Sequence, residues 1–253
     1  MNSKIIQANK STDKTFFCIY VAVRGGCDVR NLYIAKRQFI LCLLFTLLVI
    51  GTLYAHDDRT HKLSGKVIVV DAGHGGIDTG ANRSGVLEKD INLAIALELK
   101  NFLHQYGAKV VLSRQADIEL SPECDNEKVK GRYHRDLAAR VEMVEESDAD
   151  LFISLHANAA SNTKRQGPEV FYYAKSEPSK SLANAIQNEL SKVIKSAPIA
   201  NPGNYFVLRR NKIPAALIEV GYITNLEERS LLQSPEYQRK LAEAIAKGIY
   251  NYY

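Results

Sequence analysis

Four side chains able to do chemistry stand where the sequence changes character. His74 lies in "VIVVDAGHGG" (67–76), a β-prone run that stops abruptly in an aspartate, three glycines and one histidine. His156 closes the apolar run "DLFISLHAN" (150–158), and Glu219 abuts the apolar residues of "ALIEV". Such strand ends form the edge at which open α/β sheets bind ligands. A carboxylate placed there costs several kcal/mol unless it is paired or bound to a cation. Two imidazoles, one carboxylate and an open water position form a known catalytic arrangement for zinc, with a second carboxylate as general base. Taken singly, each residue has a plainer reading. A histidine at a strand end is a hydrogen-bonded core residue, Glu219 a salt-bridge partner, and Glu88, at a helix start, a complement to the helix dipole. Their joint appearance at one edge is much harder to explain as packing.

Other chemistries that begin with such a loop fail on pattern. A dinucleotide loop needs G-x-G-x-x-G running directly into a helix. Here Gly73 and Gly75 are followed by Asp78 where the third glycine belongs, and the helix pattern starts some residues later. The Gly-Lys-Ser/Thr of a phosphate loop is absent. The remaining histidines, His56, His61, His104 and His134, stand in polar surroundings and read as solvated.

The elements that must position these residues alternate. Strands are expected over Lys66–Asp71, 108–114, 150–158, 168–174, "NYFVLRR" (204–210) and "PAALIEVGY" (214–222). Helices are expected from Glu88–Asp90 onward, over about 135–147, along Leu182–Val193, and at the end of the chain through Tyr237, Leu241, Ile245 and Ile249. A polar excursion fills 114–134. The fold class is therefore α/β, a mostly parallel central sheet flanked by helices on both faces. It forms a single catalytic domain over 66–253, preceded by a polar linker at 56–65.

The net charge of +5 does not belong to that domain. Residues 1–55 hold seven Lys/Arg against only Asp13 and Asp28, and the remainder carries equal numbers of basic and acidic side chains. A nucleic-acid surface needs its basic residues on the domain itself, so no nucleic-acid partner is expected. The basic tail (1–38) instead precedes "FILCLLFTLLVIGTLYA" (39–55), 17 uncharged residues close to the lower limit for a membrane-spanning helix. Lys36 and Arg37 before it place the N-terminus in the cytoplasm and the domain outside. The segment reads as an uncleaved anchor. Against cleavage as a signal peptide, Leu53 occupies the −3 position of the only plausible site, and the lead-in is long. Of the four cysteines, only Cys124 falls in the domain, so an intradomain disulfide is excluded.

"VIVVDAGHGG", "GVLEKDINLAIA", "ADLFISLHANA" and "ALIEVGYITN", in that order, resemble the motifs of zinc N-acetylmuramoyl-L-alanine amidases of the Amidase_3 type. The likeness runs from about residue 66 to the end of the chain. The short form, lacking wall-binding repeats, is similar to the spore-cortex, germination-specific members. The resemblance implies zinc (Zn2+) held by His74, Glu88 and His156, with Glu219 as catalytic acid/base, which settles the choice of carboxylate that the residues alone left open. Asp71 is read as an acceptor that holds a ligand imidazole. Gly73, Gly75 and Gly76 are read as letting the loop bend so that His74 faces the metal. Ala72 stands where the family usually has proline. The implied substrate is peptidoglycan, cut between N-acetylmuramic acid and L-alanine ahead of muramic δ-lactam formation. The implied place is the forespore intermembrane space, with an activating protein partner left open. The rivals are a peptidoglycan-binding protein without turnover and a zinc carboxypeptidase acting on the stem peptide.

Overall fold

The computed structural model describes residues 29–194, 197 and 199–253; most of the basic tail, with Cys18 and Cys27, lies outside the described residues. The chain falls into two units divided between His56 and Asp57. Helix α1 (Val29–Thr60), which belongs to the first unit as far as His56, contains the whole apolar run 39–55. Among the described residues, no helix is long and apolar enough to cross a membrane.

The second unit is built on a six-stranded sheet. Its strands are β1 (Val67–Ala72), β4 (Lys109–Leu112), β5 (Leu151–Asn158), β6 (Glu169–Tyr172), β7 (Asn201–Pro202) and β8 (Ala215–Tyr222). They lie in the order β4-β1-β5-β8-β6-β7. Only the β6–β8 pair is antiparallel. Strands β2 (Asn82–Arg83) and β3 (Val86–Leu87) form a separate small hairpin. The helices are α2 (Glu88–Gln105), α3 (Arg132–Glu146), α4 (Glu177–Val193), α5 (Phe206–Arg210), α6 (Leu226–Leu232) and α7 (Pro235–Tyr252).

Ile68, Val69 and Val70 are all fully buried, as a parallel strand covered on both faces requires. Each such side chain contributes about 1.5–3 kcal/mol by leaving water. Strand periodicity divides them. Ile68 and Val70 pack with Ile153, Leu155 and Ile218 beneath α2, α4 and α7. Val69, Phe152 and Leu217 pack beneath α3 and α5. Continuing by twos along β1, β5 and β8, this second face ends in Asp71, His156 and Glu219. Three strands therefore bring polar residues to one face of one edge.

Two sequence expectations need correction. "NYFVLRR" is not a strand: Phe206–Arg210 is a helix that buries Val207 and Leu208 against the second face. Five apolar-to-basic residues are too few for a period of two to be told from one of 3.6. The stretch 56–65 is not polar linker throughout. Leu63 is fully buried, and its N–H donates to the Tyr106 carbonyl at 2.9 Å. Cys124 is buried in a small cluster with Leu120, Ala138 and Ala139.

Candidate active site

The loop after β1 is shaped by its own hydrogen bonds. His74 adopts a left-handed backbone, φ 63, followed by Gly75 at φ 140 and Gly76 at φ 59. The Gly75 and Asp78 backbones bond each other in both directions, at 2.9 and 3.2 Å, closing a tight turn. The bend is thus carried partly by the histidine itself, a strained conformation of the kind that collects at functional sites. Gly73 has a different task from bending. A Cβ there would lie 2.3 Å from Cε1 of His156, so only glycine lets the His156 ring approach the loop.

His156 stands on β5 directly opposite Glu219 of β8, and a bulge follows before Asn158 pairs with Tyr222. Such irregularities end pairing and re-aim side chains. Glu88 comes from the other face of the sheet, as the first residue of α2. Its Oε1 lies 3.2 Å from Nε2 of His74 and 3.0 Å from Nδ1 of His156. One donor atom from each of His74, Glu88 and His156 lies within 4.8 Å of the other two. The two imidazoles meet edge to face at 4.9 Å. No other group of this kind occurs among the described residues.

The electrostatics favour positive charge at this point. Burial alone would push the His74 imidazole down. Glu88 and Asp78 outweigh it and raise the group to about 9. Burial would raise the Glu88 carboxyl, but hydrogen bonds from His156 and His74 hold it well below the usual carboxylate range. Glu219 differs. Burial pushes it up to about 7, opposed by the nearby His156 and aided by the negative charge of Glu88. Its Oε2 is buried without a hydrogen-bond partner. A group of this kind, poised near neutrality in a cavity, is what acid–base chemistry uses.

Asp71 does not hold an imidazole. Its oxygens accept from Arg140 and from the Ser154 hydroxyl, and Asp78 takes the expected role, bonding Nδ1 of His74 at 2.8 Å. Two buried arginines clamp the loop. Arg140 donates to the carbonyls of Ala72 and His74, both at 3.1 Å. Arg114 donates to Ala72 at 2.9 Å and Gly73 at 3.2 Å. Asn92 adds a bond to the Gly73 carbonyl and a longer one to Glu88. None of Asp78, Asn92, Arg114 and Arg140 was anticipated as part of the site. For Arg140 a signal existed, since it lies three residues after Leu137 and four before Val144, on the apolar stripe of α3, where a charge must find a partner.

A sequence model of N-acetylmuramoyl-L-alanine amidases matches residues 68–251, which hold every residue of this site. The chain belongs to the N-acetylmuramoyl-L-alanine amidase family. The germination-specific N-acetylmuramoyl-L-alanine amidase of Bacillus subtilis (strain 168) is 35% identical, over 85% of this chain and 93% of that protein. Among solved structures, the CwlD amidase from Clostridioides difficile, in complex with the GerS lipoprotein, aligns with a TM-score of 0.68 and 38% identity. It covers 74% of this chain and 98% of its own. The amidase AmiC2 of Nostoc punctiforme aligns with a TM-score of 0.61 and 36% identity, over 75% of this chain and 98% of its own. This amidase hydrolyses the N-acetylmuramoyl-L-alanine bond of peptidoglycan, so the reading as a binding protein without turnover is set aside. Its candidate catalytic cavity, about 260 Å³, is lined by His74, His156 and Glu219 and walled by Tyr133, Tyr205 and Phe206.

Proposed function

We propose that the amidase is zinc-dependent, with His74, Glu88 and His156 holding the ion and Glu219 carrying the proton. The observation that carries this reading is the convergence of three donor atoms beside a buried carboxylate oxygen with no partner. The donor set fits zinc, since two imidazoles and one carboxylate leave a fourth position for water or substrate. Glu88 and Asp78 place negative charge around the His74 imidazole, which a bound cation would offset.

A zinc ion held there supplies Lewis acidity to the scissile carbonyl and to the attacking water. The chain's own residues do the rest. Asp78 fixes the His74 ring through Nδ1, leaving Nε2 turned toward Glu88. Arg140 and Arg114 hold the loop carbonyls, so that His74 keeps its place when substrate enters. Glu219, on a rigid strand, takes a proton from water and returns it to the leaving amine of L-alanine. The Glu219 side chain lines the same cavity as His74 and His156, within reach of both transfers.

We assign the enzyme to the spore cortex, removing stem peptides ahead of muramic δ-lactam formation by a separate deacetylase. The germination-specific relative supports this assignment. Mass spectrometry of cortex peptidoglycan digested by the purified full chain tests it. Muramic acid freed of peptide and peptides with a free L-alanine N-terminus are expected. Released D-alanine would instead indicate the rival carboxypeptidase. Cleavage by the chain alone would also remove any need for the protein partner that the C. difficile complex brings to mind.

The anchor reading rests on residues 39–55. Within α1, Phe39, Phe45 and Leu48 are each at least 65% exposed, a surface that lipid covers and water penalises. Protease added outside intact protoplasts is expected to remove the domain and spare residues 1–37. A mature N-terminus near His56 would establish cleavage instead.

A further inference from the structure

A second, larger cleft of about 680 Å³ is formed by the β2–β3 hairpin and the loops that follow β5 and β8, and the mechanism above does not use it. Its charged walls are Arg83, Lys164 and Arg229 against a single carboxylate, Glu227. Hydroxyls of Ser84 and Thr224 stand among them. Each wall continues an element that carries a site residue. Arg83 precedes Glu88 by five positions, Lys164 follows His156 by eight, and Thr224 follows Glu219 by five. The connection on the Arg83 side is rigid. Its hairpin turns through Ser84 and Gly85, both with left-handed backbone. The hairpin is bonded to Glu88 twice: the Ala81 N–H donates to Glu88 Oε2 at 2.8 Å, and the Glu88 N–H donates to the Ala81 carbonyl at 2.9 Å. On the other side, the Ala160 N–H donates to the Thr224 hydroxyl at 3.1 Å, tying the loop after β5 to that after β8. Arg229 spends one nitrogen on the Ile223 carbonyl and keeps its remaining donors.

The two cavities differ in chemistry, and so do the two halves of the substrate. The catalytic cavity is walled by aromatic rings, and the second cleft by cations. On the substrate, the glycan side of the scissile amide carries hydroxyl and acetamido groups without charge. The peptide side carries carboxylates, the first of them on the glutamate that follows L-alanine. That carboxylate lies one to two residues past the cut, roughly 3.5–7 Å along the chain. We propose that the cleft of Arg83, Lys164 and Arg229 binds the carboxylates of the stem peptide, and so orients the substrate with its glycan toward Tyr133, Tyr205 and Phe206. The assignment rests on cleavage at L-alanine. It makes Arg83 and Lys164 specificity residues, outside the chemical step.

The test compares muropeptides whose glutamate α-carboxyl is free or amidated, using the full chain and the Arg83→Gln, Lys164→Gln and double variants. Each exposed ion pair is worth a few tenths of a kcal/mol to about one. Two pairs therefore give wild type a preference of about twofold to thirtyfold in kcat/KM for the free acid at low salt. The double variant should bring that ratio close to one by losing rate on the acid, while its rate on the amide stays within about twofold of wild type. Raising the salt should shrink the wild-type preference in the same way. Equal wild-type rates on acid and amide, or a preference that survives in the double variant, overturns the assignment. Calorimetry with the released peptide gives a readout independent of turnover: weaker binding to the double variant supports the cleft, and unchanged binding overturns it. Absence of cleavage of both muropeptides by wild type would count against the amidase reading itself, while the calorimetric result would still decide the cleft.

Discussion

Glu219→Gln is expected to lower amide cleavage by at least about two orders of magnitude, since general acid–base catalysis is typically worth about 10² to 10⁴ in rate. The substitution is nearly isosteric and keeps the hydrogen-bonding shape, removing only the ability to carry a proton. Oε2 of Glu219 has no partner to lose, so the fold should be unaffected. Inactivity alone would not separate a proton carrier from a metal ligand, which is why metal content and activity have to be read together. The variant should still bind peptidoglycan, because the walls of the cavity are untouched. Wild-type kcat/KM should also fall on the acid side as Glu219 becomes protonated. Burial places that limb at or below about pH 7, and a bound cation moves it lower by favouring the charged form. Full activity in Glu219→Gln would show that another group moves the proton.

The largest stability effect is expected at Asp71. Its carboxylate is buried against Arg140 and Ser154, and Arg140 is itself only 2% exposed. Burial would raise the Asp71 carboxyl, but the Arg140 guanidinium and the Ser154 hydroxyl hold it below its ordinary value. Asp71→Ala leaves a buried guanidinium short of a partner, a change that typically costs about 3–5 kcal/mol. The Asp136 carboxylate still accepts from Arg140 at 2.8 Å, which argues for the lower end, about 3 kcal/mol. For a domain of this size that lowers Tm by roughly 6–12 °C. Activity should fall as well, because the same guanidinium holds the carbonyls of Ala72 and His74. A thermal melt within about 2 °C of wild type would show that the ion pair contributes nothing net to the fold.

The site was legible where its residues broke a pattern. His74, His156 and Glu219 interrupt apolar runs, and a polar side chain at the end of a buried strand needs a reason. The two strands that set His156 opposite Glu219 follow from the apolar runs "DLFISLHAN" and "ALIEV", whereas the bulge after that pair left no mark in them. What supports the site was less visible. Asp78 is four residues from His74, but it meets the ring only because His74 takes a left-handed backbone, which no spacing reveals. Arg114 is buried to satisfy loop carbonyls, which carry no sequence signature, and the place of Arg140 on the apolar stripe of α3 signals burial without naming its partners. Asp71 was placed at the right edge and given the wrong partner, since Arg140 lies 69 residues away in the chain. The sheet was read correctly where strands were long and apolar. Strand β7 is only two residues, too short for any periodicity to show.

Metal content tests the central claim most directly. Elemental analysis of the purified full chain is expected to find one zinc per molecule. Replacing both imidazoles, His74→Ala with His156→Ala, should remove it, because neither carboxylate alone holds the ion. The same protein should melt at lower temperature than wild type, since a ligand that binds only the folded state adds to its stability. Glu219→Gln should retain wild-type zinc, and Glu88→Gln should not. Wild-type zinc in the double histidine variant would contradict the site. Zinc lost with Glu219→Gln but kept with Glu88→Gln would reverse the roles of the two glutamates.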